Sequence, residues 1–208
     1  MPAALRLCAV ILAAGESARM GTDKALLPWP PGAGNPPLLA AACRALAPYA
    51  EAVIVVAGRN AERLAPLATA HGAQLVVNPA PERGQFSSLQ VGLRALLARG
   101  GNAALITPVD NPPPSPATLA RLHDAFEPAL ARGLWALAPE RDGRHGHPLL
   151  ASPELVAALL AAPAESSARA LLRAHPQRLE YLAVPDPLVG AELNTPEEYA
   201  ALAWSREA

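Results

Sequence analysis

The sequence predicts an α/β fold in which a mainly parallel sheet is covered by helices on both faces. Three observations carry that expectation: strand-length apolar runs alternate with longer Ala/Leu-rich stretches of helical period, turn residues punctuate the joins, and several joins carry helix-start signals. The expected strands are Leu7 to Leu12, Ala52 to Val56, Gln74 to Val77, Ala103 to Thr107, Leu134 to Ala138 and Leu179 to Val184. The expected helices are Leu38 to Leu46, Ala61 to His71, Ser87 to Ala98, Ser115 to Phe126, Ser152 to Ala162 and Ser167 to His175. Ser115-Pro116 and Ser152-Pro153 each place a capping hydroxyl before a proline at the first helical position, and Thr195-Pro196-Glu197-Glu198 reads as a capping box.

No linker, repeat or heptad pattern divides the chain, so a single domain over 1–208 is expected; its 24 prolines are dispersed, with clusters at Pro28 to Pro37 and Pro112 to Pro116 that read as stiff loops. With 51% hydrophobic and 17% charged residues, 208 residues are enough to bury one sizeable core. The 17 basic and 18 acidic side chains nearly cancel, which argues against nucleic acid or an anionic membrane as partner and for small molecules. The first apolar run, Leu5 to Ala14, breaks at Gly15, too short to span a bilayer and without a basic leader, so a cytoplasmic protein is expected. Cys8 and Cys43 have no metal or redox spacing and read as core residues.

Lys24 is the only lysine in the chain, among 17 basic residues. A chain that otherwise uses arginine has one place with a compact ammonium on a flexible stem, which is either a chance survivor or a residue with a specific task. Its surroundings favour the task. In an open parallel sheet the ligand crevice lies beyond the carboxyl ends of the strands, and the loop leaving the first strand there is built from Leu12, Ala13, Ala14 and Gly15, small enough to bring backbone N–H groups against a polyphosphate, with Arg19 and Lys24 supplying charge. The loop has no Gly-Lys-Ser/Thr and no G-x-G-x-x-G, so kinase-like and dehydrogenase-like readings lose their main support. Further on, Gly84 permits a close approach, while Ser87 and Ser88 can cap the next helix, present hydroxyls to a ligand, or both. Asp110, just past a buried strand, is a hard-oxygen donor suited to Mg²⁺ or an Asx-turn residue of the proline-rich loop.

The stretch from Leu12 to Lys24 resembles, at every fixed position, the L-A-[AG]-G-x-S-x-R-M-G-x-x-K signature of the nucleotidyltransferases that include the molybdenum-cofactor cytidylyl- and guanylyltransferases and the sugar-1-phosphate nucleotidyltransferases. Asn78-Pro79 through Gly84-Gln85-Phe86-Ser87-Ser88 resembles the family's nucleotide-pocket segment, and Pro108-Val109-Asp110-Asn111-Pro112 its metal motif. Arg144-His145-Gly146-His147-Pro148 is similar to the G-x-x-G-H-P segment of the cytidylyltransferase subgroup, and Leu193-Asn194-Thr195-Pro196-Glu197-Glu198-Tyr199 to the late D-x-D-T-P-E-D-Y or N-x-N-T-P-E-D-L segment. The resemblance implies a three-layer α/β/α fold on a mostly parallel mixed sheet of the nucleotide-diphospho-sugar transferase type. It places Arg19 on the β/γ-phosphates, Lys24 on the α-phosphate, Leu12 to Gly15, Asn78, Gly84, Ser87 and Ser88 around the nucleotide, His147 at the acceptor, and Asp110 with Asn194 on Mg²⁺. Two departures stand out: the loop from Trp29 to Pro37 is longer than the usual turn, and Glu192 and Asn194 stand where cytidylyltransferases carry two aspartates.

The implied reaction is Mg²⁺-dependent transfer of a nucleoside monophosphate from an NTP to a small phosphorylated acceptor, releasing pyrophosphate. The serine-rich pocket and the Gly-His-Pro loop lead to CTP and molybdopterin, whereas Asp23 to Pro28 and Asn194-Thr195-Pro196 resemble the guanylyltransferase pattern. A sugar-1-phosphate acceptor and a non-catalytic nucleotide-binding regulator stay open, as does a molybdoenzyme or chaperone partner.

Overall fold

The computed structural model describes residues 4–204. Strands β1 (Leu7–Ala13), β2 (Val53–Ala57), β3 (Gln74–Val77) and β4 (Ala103–Pro108) pair in parallel in the order β3-β2-β1-β4. Beyond β4 the sheet turns mixed: β7 (Leu149–Ala151) runs antiparallel to both β4 and β5 (Ala136–Arg141), the two-residue β6 (Arg144–His145) folds back on β5, and β8 (Leu179–Ala183) is parallel to β5.

Helices α1 (Leu38–Leu46), α2 (Ala61–Ala70), α3 (Gln85–Ala98), α4 (Pro116–Ala131), α5 (Pro153–Ala161), α6 (Ala168–Ala174) and α7 (Pro196–Trp204) complete the chain order. The period of β1 explains the layering. Its alternate residues Ala9 and Ile11 join Leu38, Leu39, Leu122 and Phe126 in one core, while Cys8, Val10 and Leu12 join Leu89, Leu93, Leu96 and Leu155 in the other. A strand buried on both faces has no polar side, which is why β1 reads as a continuous apolar run. The three-layer α/β/α expectation holds.

The sequence reading omits β6 and β7. Three residues between a loop and a helix cap carry no measurable period, and β7 takes its identity from its antiparallel pairing with β4 and β5. Helix α4 also runs past the expected stop at Phe126 and carries Pro128 inside it, because Ala129 in its last turn is packed into the core. The serine caps are present: Ser115 Oγ accepts from Thr118 N at 3.3 Å and Ser152 Oγ from Leu155 N at 3.1 Å. Asp186, only 5% exposed, accepts from Ser115 N, Thr118 Oγ1 and Leu188 N, which fixes the connection after β8 to the start of α4. Burial alone would raise its carboxyl, but these bonds outweigh it and hold the group below its usual range. No helix among the described residues is long and apolar enough to cross a membrane.

Gly92 is where α3 meets the sheet: a Cβ there would stand 2.5 Å from Val10 Cγ1 and 2.9 Å from Val56 Cγ2. Gly92→Ala should lower stability by about 1–2 kcal/mol, since overpacking of about 1–3 kcal/mol exceeds the gain in helix propensity. Thermal unfolding would read this as a fall of roughly 2–8 °C.

Candidate active site

Strands β1 and β4 are neighbours with Leu12 opposite Pro108, and Val109 N donates to Leu12 O at 2.9 Å. The loops that follow therefore leave the same edge of the sheet side by side. The first loop is tied down from within: Ser17, at a left-handed φ of 52°, accepts through Oγ from Lys24 N at 3.2 Å. Asp23 caps the next turn by accepting from Ala25 N and also accepts from Asn60 Nδ2, which reaches Ala13 O as well. A Cβ built at Gly15 would meet nothing within 4 Å, so the loop backbone faces open space. That space is a cleft of about 230 Å³ bounded by Leu12 to Gly15, Lys24, Gly84, Ser88 and Asp110.

Lys24 lines this cleft with its side chain largely buried. It donates to Asp110 Oδ2 at 2.9 Å and to Asn194 Oδ1 at 3.1 Å, and Arg19 Nη2 stands 3.4 Å from the same Asn194 oxygen. Residues far apart in sequence are thus joined, and backbone docking explains how. Leu193, fully buried, donates its N–H to Asp110 O at 2.9 Å, and Asn111 Nδ2 donates to Ala191 O, laying residues 191–194 along the Asp110 loop. Glu192 Oε2 then accepts from Asn194 Nδ2 at 3.0 Å, so the amide oxygen faces the ammonium. The expected capping box holds the far side: Glu198 Oε2 accepts from Asn194 N and Thr195 N, and Thr195 Oγ1 accepts from Glu198 N.

The nucleotide-pocket segment differs in detail from the expectation. Helix α3 begins at Gln85, not Ser87, with Gly84 as its N-cap at φ 91° and no side-chain cap. Gly84 is therefore needed for its backbone conformation, because a Cβ there would have free space. Neither serine caps the helix. Ser87 is buried and donates to Gly84 O at 2.8 Å, whereas Ser88 borders the cleft. Asn78 lies beneath them, 3% exposed, donating to both serine hydroxyls and accepting from Ala80 N, so its role is to position Ser88. The sequence reading missed Gln85 and Asn60; the signal for both was position, at a helix entry beyond a strand on the ligand side of the sheet.

His147 stands apart from the cleft. It lines a second cavity of about 880 Å³, together with Arg144, Arg169 and Arg173, and Gln85 borders both spaces. The long loop from Trp29 closes on itself through Trp29 N to Pro36 O at 2.7 Å and borders a different groove, away from the cleft.

Two oxygen donors, Asp110 and Asn194, already converge on one cation, the Lys24 ammonium. Among the described residues no group of three or more His, Cys, Asp or Glu side chains could hold a metal. A pair of oxygens suits Mg²⁺, which keeps waters and takes substrate phosphate oxygens instead of filling an all-protein cage.

A loop of small residues with an open backbone, a lone lysine and an acidic side chain at the carboxyl ends of a mixed α/β sheet form the arrangement expected of a nucleotidyltransferase. Residues 9–179 match the MobA-like NTP transferase domain, and the chain belongs to that family. It is 33% identical over 208 residues to a molybdenum cofactor guanylyltransferase of Cereibacter sphaeroides, covering 94% of this chain and 95% of that one. A molybdenum cofactor guanylyltransferase of Burkholderia vietnamiensis is 32% identical over 164 residues, covering 77% and 74% of the two chains. Among solved structures, Rv0371c of Mycobacterium tuberculosis H37Rv superposes with a TM-score of 0.77 at 26% identity, over 96% of this chain and 98% of that one. Its manganese complex gives 0.71 at 23%, over 96% and 99%. The fold is that of the nucleotide-diphospho-sugar transferases.

Burial holds the His147 imidazole below its ordinary value of 6.5, against weaker upward pulls from the Ile106 carbonyl, Asp110 and Glu192. The unfolded chain then takes up this proton first, so the contribution to stability is complete above about pH 6.5 and is lost as pH falls towards the folded value. Melting temperatures between about pH 7.5 and 5 should fall less steeply for His147→Gln than for the wild type. An equal slope in both proteins would contradict this.

Proposed function

We propose that this protein transfers a nucleoside monophosphate, GMP in preference to CMP, from its triphosphate to a phosphorylated acceptor such as molybdopterin, with release of pyrophosphate. The observation that carries the reading is the convergence of Asp110 and Asn194 on Lys24, with Lys24 and Asp110 lining a cleft that is bounded by a small-residue loop. The preference for guanine rests on the relatives, both named guanylyltransferases, and takes the place of the cytosine expected from the serine-rich segment. The reading takes 1–208 as one catalytic domain working in the cytoplasm, with a molybdoenzyme or its chaperone receiving the product.

Amides of Ala13 to Gly15 and the Arg19 guanidinium would hold the β- and γ-phosphates. Lys24 would meet the α-phosphate, where charge builds as the acceptor oxygen bonds to phosphorus and the bond to the pyrophosphate oxygen breaks. Asp110 and Asn194 would hold Mg²⁺, which when bound neutralises phosphate charge and orients the triphosphate. The acceptor phosphate, with a second pKa of about 6, is already an anionic nucleophile at neutral pH, so no general base is required. The acceptor would lie in the His147 cavity, reaching the α-phosphate past Gln85.

In a panel of the four NTPs with Mg²⁺ and molybdopterin, pyrophosphate release should be fastest with GTP. Tight binding of an NTP without turnover in any combination would leave only a nucleotide-binding protein. Lys24→Ala should lower kcat by about 10²-fold or more, and Lys24→Arg should not restore it, because a planar fork cannot replace a compact ammonium between two oxygens. Asp110→Asn should raise the Mg²⁺ concentration required for half-maximal activity, since it removes a charge but keeps one ligand oxygen. Activity at ordinary Mg²⁺ in Asp110→Ala would place the metal elsewhere.

A further inference from the structure

The two oxygens that would ligate the metal are the same two that Lys24 now engages, Asp110 Oδ2 at 2.9 Å and Asn194 Oδ1 at 3.1 Å. The ammonium is well held there: the Lys24 side chain is only 11% exposed, and its backbone N–H is tied to Ser17 Oγ. Arg19 adds a second positive charge 3.4 Å from the Asn194 oxygen, while the Glu192 carboxylate accepts from the Asn194 amide nitrogen and Asp23 from Ala25 N and Asn60 Nδ2. A bare divalent ion approaching the site would meet one facing carboxylate and two cations, and would have to expel an ammonium from between its own ligands.

We propose that Lys24 is the resident cation of this site in the nucleotide-free protein, so that free metal is excluded and the site accepts the metal only as a chelate with the triphosphate. The inference rests on the metal placement proposed above. A triphosphate supplies what the free site lacks: its oxygens take the Lys24 ammonium and the Arg19 guanidinium, which frees Asp110 and Asn194, and it carries the metal in with it. Lys24 thereby has two positions, one on the protein oxygens and one on the α-phosphate, and nucleotide selects between them.

Mn²⁺ alone, titrated into nucleotide-free protein and followed by its electron paramagnetic resonance signal, tests this without any turnover. Wild-type protein should bind Mn²⁺ weakly, and Lys24→Met should bind it at least about tenfold more tightly because the competing charge is gone. The double variant with Asp110→Asn should lose that gain. Lys24→Gln, which is neutral but keeps polar contact with the site, should also tighten binding and serves if Lys24→Met does not fold. With the α,β-methylene analogue of GTP, water proton relaxation should show Mn²⁺ held by the wild-type protein and not by Asp110→Ala. Unchanged Mn²⁺ affinity in folded Lys24→Met or Lys24→Gln overturns the proposal, as does wild-type protein that binds Mn²⁺ equally well with and without the analogue. Either result leaves the metal placement standing. Failure of every protein to hold Mn²⁺, with analogue or without, overturns the placement and the proposal together.

Discussion

The pairing of β1 with β4 is the constraint on which the site depends. With Leu12 opposite Pro108 and the ladder extended by Val109 N to Leu12 O, the Gly15 loop and the Asp110 loop leave the sheet a strand spacing apart. The pairing is secured by burial on both faces, because alternate β1 side chains feed two separate cores. Chemistry at the edge is thus held by apolar packing behind it. Small residues from Ala13 to Gly15 add little to either core; their contribution is the open backbone they leave.

A second tier of interactions brings in what the sheet does not supply. Asn194 belongs to no strand, and it reaches Lys24 because Leu193 is buried and hydrogen-bonded to the Asp110 carbonyl while Asn111 holds Ala191. Glu192 orients its amide, and the Thr195–Glu198 capping box fixes the entry to α7. Asn78 works similarly under the other wall, spending its side chain on Ser87, Ser88 and Ala80. Asn78, buried and satisfied in this way, gives that wall a defined shape without itself lining the cleft.

Much of this was legible in the sequence. The parallel half of the sheet follows from long apolar runs, and α1 and β3 fall within the expected bounds because Pro37 and the turn residues punctuate them. Loop chemistry was legible in Lys24 because a lone lysine stands out against arginine. The antiparallel β7 was not, since a three-residue strand gains its identity from neighbours distant in sequence. The start of α3 was misplaced for a related reason: serine carries a strong capping signal, but the positive φ at Gly84 starts the helix before the serines are reached. Nor could spacing alone show that Asp110 and Asn194 both hold the lysine, because that contact spans residues 24, 110 and 194.

That span has a consequence for how the protein is made. During synthesis the loop after β1 and then β4 emerge first, but the second oxygen that meets Lys24 arrives only with the segment at Leu193 and Asn194. Until then Asp110 and Lys24 lack their third partner, and the carbonyl of Asp110 has no donor from Leu193. A chain cut short ahead of this segment therefore keeps every residue that lines the cleft but leaves the Lys24 ammonium with one side-chain acceptor, Asp110, in place of two.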